Sequence, residues 1–96
     1  MSESWVVYIL TNFTNRVLYT GIANDLGRRI EEHRSRQAPF SFTTRYRAYK
    51  LIWYQAFDSP EEAILIEKKI KGWKRAKKLA LIESMNPNYQ DLSTLR

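Results

Sequence analysis

The residues whose types and spacing suit chemistry are one carboxylate, one arginine, one histidine and two phenols. At 100° per residue, Ala63, Ile66, Ile70 and Trp73 form one apolar stripe on a helix that starts near Pro60, and Glu67 falls inside that stripe. A carboxylate facing a core is costly unless something compensates it. A metal ion, a buried arginine or a catalytic duty would do so; a structural salt bridge, or a place at the edge of the stripe, would account for it equally. Arg29 and His33 are four apart, so they share one helical face, with Leu26 and Ile30 near it. His33 is the only histidine, and a lone histidine is more often packed or solvated than a ligand. Tyr8 and Tyr19 fall on two strands of a hairpin, where cross-strand packing alone would explain them. Gly21 marks a bend or a close backbone approach.

Much chemistry is excluded. There is no second histidine for a zinc triad and no cysteine for a disulfide or a thiolate zinc site. No paired acidic motif suggests two metals, no glycine-rich loop suggests a nucleotide cradle, and no Ser-His-Asp set has a supporting spacing. A hydrolase built here must work with one carboxylate, an arginine and phenols.

The elements that must position these residues read as β, β, α, β, α, α. Trp5–Thr11 and Val17–Ile22 are strands around the turn Asn12–Arg16. Asn24 or Asp25 caps a helix from Leu26 through Arg36. Gln37–Arg47 is loop-like. Tyr49–Phe57 carries the strongest strand pattern. Ser59 caps, and Pro60 opens, a helix reaching about Trp73, and Lys77–Ser84 is helical again before Asn86-Pro87-Asn88 ends it. The expected fold is α+β: a small three-stranded, mainly antiparallel sheet flanked by helices, as one domain over residues 1–96.

The chain has a net charge of +6 and a pI of about 9.8. Arg28–Lys50 holds seven basic and two acidic residues, and Ser59–Lys78 seven basic and three acidic. That balance favours a polyanionic partner, with plain solubility as the alternative. With no leader-like or membrane-length apolar run, a cytoplasmic protein with no membrane partner is expected.

The ordered set Val6-Val7-Tyr8, Tyr19-Thr20-Gly21, Arg29, His33, Glu67 and Asn86 resembles the GIY-YIG nuclease family. The closer resemblance is to its small, single-domain bacterial branch. It is carried by Tyr8-Ile9-Leu10, Leu18-Tyr19-Thr20-Gly21, Asp25-Leu26-Gly27-Arg28-Arg29, Glu32-His33, Ile70-Lys71-Gly72-Trp73-Lys74-Arg75, Asn86-Pro87 and Asp91-Leu92. Val6 and Thr20 depart from the name motifs, at positions whose side chains are not expected to do chemistry.

The resemblance implies a metal-dependent endonuclease that hydrolyses phosphodiester bonds. DNA is favoured over RNA, sequence specificity is low, and the setting is repair or recombination. Glu67 would ligate one Mg²⁺ or Mn²⁺, ions content with few carboxylates. Arg29 would offer its fork to phosphate oxygens. Tyr8 and Tyr19 would orient water, one of them as general base, which needs a cation to depress a phenol from about 10. His33 would relay a proton near neutrality. Gly21 and Asn86 would support the site. Arg28, Arg34, Arg36, Arg45, Arg47, Lys68, Lys71, Lys74 and Arg75 would hold the backbone, which brings salt dependence but little sequence choice. No small-molecule cofactor is expected, and the oligomeric state is open. The alternative is a non-catalytic basic nucleic-acid-binding domain on the same scaffold.

Overall fold

The computed structural model describes residues 5–35 and 45–94. Three strands, β1 (Trp5–Thr11), β2 (Leu18–Ala23) and β3 (Lys50–Phe57), form an antiparallel sheet in the order β2-β1-β3. Among the described residues the helices are α1 (Leu26–Arg34), α2 (Pro60–Gly72) and α3 (Arg75–Met85), with a 3-10 turn at Leu92–Thr94; residues 45–46, expected to be loop, are helical and lead into a turn at Arg47. The fold is α+β in the expected order β-β-α-β-α-α.

β1 lies in the middle and is buried on both faces, which is why its sequence is a nearly unbroken apolar run. Val7 and Ile9 point to one side, into a core with Ile52, Trp53, Phe57, Ala63, Ile70 and Ile82. Tyr8 and Leu10 point to the other, with Ala23, Ile30, Ala48 and Leu51. So α2 and α3 cover one face of the sheet and α1 the other.

Local chemistry sets the element ends. Asp25 caps α1 by accepting from the Arg28 N–H, and Ser59 caps α2 from the Glu62 N–H with Pro60 in the first turn. α1 stops at Arg34, short of the expected Arg36, because Ser35 turns back: its N–H and its hydroxyl both donate to the Glu31 carbonyl. Arg36, and the expected loop from Gln37 as far as Thr44, lie outside the described residues. α3 starts two residues before the expected Lys77, since Lys74 holds the extended cap conformation. β2 runs one residue later than expected at each end.

The register of β3 slips at Ile52: Ile9 faces Trp53 while Leu10 faces Leu51. This β-bulge turns two successive side chains, Ile52 and Trp53, into the α2/α3 core. The segment after α3 then seals this outer edge. Buried Asn86 donates through Nδ2 to the Ile52 carbonyl at 3.1 Å and to the Gln90 carbonyl at 2.8 Å, and its Oδ1 accepts the Gln90 N–H. Asp91 Oδ1 accepts the Leu51 N–H at 3.2 Å. One strand edge is thus occupied by side chains from the C-terminal segment.

Replacing Asn86 by Ala strands a buried carbonyl beside the bulge. The expected loss is about 1–3 kcal/mol, read as a lower urea midpoint at unchanged slope, with exposed Asn88→Ala as the control. Equal midpoints for the wild type and Asn86→Ala would show that the bulge holds without it.

Candidate active site

Tyr8 leaves β1 toward α1, and its hydroxyl lies 3.1 Å from Nε2 of His33. Both residues are buried, His33 completely. Tyr19, on β2, packs beside them, with ring centroids 6.3 Å from Tyr8 and 5.3 Å from His33. Its ring is only half-buried. Gly21 is the cross-strand partner of Tyr8. A Cβ there would stand 2.5 Å from the Tyr8 hydroxyl oxygen, 2.6 Å from Cζ and 3.0 Å from Cε2 of Tyr19. The glycine is needed for space, since its φ is not in the left-handed region.

Arg29 sits one turn before His33, with Nε 3.3 Å from Oε1 of Glu32; Arg28 approaches Oε2 of the same carboxylate at 3.7 Å. Burial pushes the Tyr8 phenol well above its ordinary range, and the neighbouring Tyr19 pushes it further. The Arg29 charge pulls it down but does not prevail, and Glu32 opposes Arg29. Burial lowers His33 to about 4; Arg29 adds to this and Glu32 resists it. The Arg29 charge thus lowers the Tyr8 phenol without offsetting its burial, and burial favours the neutral form of His33. At Tyr8 dehydration outweighs a partly solvated guanidinium, and at His33 the two act in the same direction.

Glu67 belongs to the other face. It is 9% exposed, between Ala63 and Ile70 on α2, which packs against β1 and β2. Lys71, one turn on, is its ion-pair partner. Lys71 also lines a cleft of about 270 Å³ at the free edge of β2, with Leu18, Tyr19, Thr20 and Lys78. Tyr19 is therefore the shared residue: it packs on Tyr8 and His33 and it walls the cleft. Tyr8, Tyr19, Arg29 and His33 come together around α1, and Glu67 approaches the same strand edge from beneath the sheet, through Lys71. No group of three or more His, Asp or Glu side chains suited to a metal occurs among the described residues.

The basic candidates divide. Arg28, Arg45, Arg47, Lys68, Lys71 and Lys74 are exposed. Arg34 is a clamp: its guanidinium bonds Asp91 Oδ2 at 3.2 Å, the Ser93 hydroxyl at 2.6 Å and, weakly, the Tyr49 carbonyl. Arg75 donates to the Asn15 carbonyl at 3.0 Å. Arg36 is outside the described residues. Asn86 serves the bulge, on the β3 side of the sheet. Sequence reasoning missed Glu32, although its spacing of three from Arg29 and four from Arg28 was a usable signal. It also missed Lys78, which a helix break separates from Lys71 and which no periodic pattern would connect to it.

This sheet, with two tyrosines on adjacent strands and an Arg–His turn above them, defines a class. Residues 4–80 match the GIY-YIG catalytic domain, and the chain belongs to that family. Within it, the chain is similar to the UPF0213 protein of Staphylococcus aureus, at 35% identity over 81 residues, covering 84% of this chain and 96% of that one. It is 40% identical to the UPF0213 protein of Staphylococcus saprophyticus over 65 residues, 68% of this chain and 78% of the relative. The solution NMR structure of a UPF0213 protein from Bacillus halodurans matches with a TM-score of 0.59 at 34% identity, covering 96% of each chain.

Gly21→Ala is expected to drive the Tyr8 ring off its seat, costing about 1–3 kcal/mol and shifting the His33 imidazole nitrogen resonances. An unchanged melting curve with unchanged resonances would mean the ring has room to spare. A second outcome concerns acid. His33 is depressed to about 4 in the fold against an ordinary 6.5. Unfolded chains therefore take up the proton first as pH falls. Stability from this group is complete above 6.5 and drains away between 6.5 and 4, by about 3 kcal/mol at most. His33→Gln should flatten that limb of the stability–pH curve; a limb of the same slope would assign the acid sensitivity elsewhere.

Proposed function

We propose that this chain is a divalent-metal-dependent endonuclease that hydrolyses phosphodiester bonds of nucleic acid. DNA is its preferred substrate over RNA, its sequence specificity is low, and repair or recombination in the cytoplasm is its setting. Membership of a nuclease family supports the reading, as does the net charge of +6. The observation that carries it is the placement of Tyr19, held by the buried Tyr8–His33 pair on one side and open to a lysine-lined cleft on the other.

The residues fit a single hard cation. Glu67 is a nearly buried carboxylate that already takes a positive partner, the Lys71 ammonium. One such oxygen ligand suits Mg²⁺ or Mn²⁺, which keep waters and accept substrate phosphate oxygens. When bound, the ion supplies Lewis-acid and templating power. The chain's own groups do the rest. Arg29 holds phosphate oxygens and stabilises the charge that builds on them. Tyr19, the phenol with access to the cleft, orients the attacking water and, in its phenolate form with its own proton already given up to solvent, takes up the proton of that water. Tyr8 and His33 hold that ring in place, and their burial favours the neutral form of both. Lys71 and Lys78 neutralise the strand backbone at the cleft.

The test is cleavage of labelled DNA and RNA, with Mg²⁺, with Mn²⁺ and with chelator, by wild type, Glu67→Gln, Arg29→Ala and Tyr19→Phe. Metal-dependent cutting is expected, reduced by about 10²–10³-fold in each variant. Binding without cutting, equal in all four proteins, would replace the enzyme with a non-catalytic nucleic-acid-binding domain.

A further inference from the structure

A second cavity, of about 460 Å³, opens at the end of the sheet where β1 leaves and β3 enters, against the C-terminus of α1. Phe13, Arg34, Arg47, Tyr49, Lys50 and Asp91 line it. Arg34 and Asp91 satisfy one another, so Arg47 and Lys50 carry the cavity's excess positive charge. Among the described residues neither makes an ion pair.

Phe13 is the anomaly. Its ring is 92% exposed, more than any other large apolar side chain among the described residues. The loop that bears it, residues 12–17, is well bonded. Asn12 Oδ1 accepts the N–H groups of Arg16 and Val17, Thr11 Oγ1 donates to the Val17 carbonyl, and Arg75 reaches from α3 to the Asn15 carbonyl. Asn15 takes a left-handed φ of 60° to close the turn. A bonded loop that presents a bare aromatic ring is pre-organised for a flat partner. Arg47 is presented in a comparable way. It holds a φ of 55°, a conformation few side chains adopt, while the next residue, Ala48, is fully buried. The buried alanine fixes the backbone that turns Arg47 outward.

A flat apolar ring beside two cations suits a nucleotide: a base for the ring, a phosphate for the cations. The base must be unpaired, because a stacked duplex leaves neither face of an internal base free. The register places the pocket near the proposed cutting site. The backbones of Lys50 and Tyr19 are two strands and one residue apart, roughly 10 Å at ordinary strand spacing, with their side chains on opposite faces at that end of the sheet. We infer that Phe13, Arg47 and Lys50 form a subsite for one unpaired nucleotide of the substrate strand, beside the cleft at Tyr19. The inference rests on the endonuclease reading for its substrate, but binding alone tests it.

The experiment measures binding in chelator, so no cutting is needed. Wild type, Phe13→Ala and Arg47→Ala are titrated with a fluorescent single-stranded oligonucleotide and with a blunt duplex of the same sequence. Amide shifts of the wild type are also followed with a 5′-mononucleotide and with inorganic phosphate. Wild type should prefer the single strand, and Phe13→Ala should lose about 5- to 100-fold of that affinity with no change in melting temperature, since the ring is exposed. Arg47→Ala should weaken binding and flatten its salt dependence. The mononucleotide should shift Phe13, and phosphate should shift only Arg47 and Lys50. Equal single-strand affinity in Phe13→Ala, or a nucleotide response identical to that of phosphate, would overturn the subsite and leave the nuclease standing. Stacking at Phe13 by a protein that never cuts in metal would keep the subsite and remove the enzyme.

Discussion

Tyr8 can reach His33 only because position 21 has no side chain. β1 carries the phenol, β2 supplies the gap and α1 supplies the imidazole, so one 3.1 Å contact ties the central strand to an edge strand and a helix. A buried hydroxyl–imidazole pair is stable only when both groups are satisfied and neutral. The same burial that isolates the pair therefore dictates its charge state. It also leaves Tyr19, the third ring, as the one with solvent access. The division of labour among these aromatic groups follows from depth below the surface more than from residue type.

The sheet has two unlike edges. At β3, a bulge frees backbone groups that Asn86 and Asp91 then occupy, and Arg34 fastens Asp91 to α1. At β2, no strand pairs on the outer side among the described residues, and that edge adjoins the lysine-lined cleft. Closing one edge limits strand-to-strand association, and opening the other leaves room for a ligand. Charge follows the same asymmetry: Arg34 and Arg75 are spent on internal bonds, while Lys78 and Lys71, the latter paired with Glu67, face the cleft.

Most of the scaffold was legible in the chain itself. The limits of β1 follow from its residue types, and the start of α1 at Asn24 or Asp25 and of α2 at Ser59 and Pro60 from local rules; the structure selects Asp25 as the cap of α1. Glu67 stood out as a charge inside an apolar stripe, and it is nearly buried. Three things were not legible. The bulge at Ile52 depends on a partner more than thirty residues away. Whether Arg34 meets solvent or Asp91 depends on the path of the C-terminal segment. The shift of His33 depends on how completely three elements dehydrate it, and the spacing of Arg29 and His33 places them without giving that depth.

The bonds of Arg34 to Asp91 and Ser93 span 57 and 59 positions, and that of Leu51 to Asp91 spans 40. Contacts of such separation carry the loop-closure cost of the whole intervening chain. A ribosome makes β1, β2 and α1 before the residues that bond the outer edge of β3, Asn86 and Asp91. The hairpin and α1 can collapse on one another during synthesis. The seal on the sheet therefore joins residues that synthesis separates widely, and its closure draws on segments made well after the strand they cover.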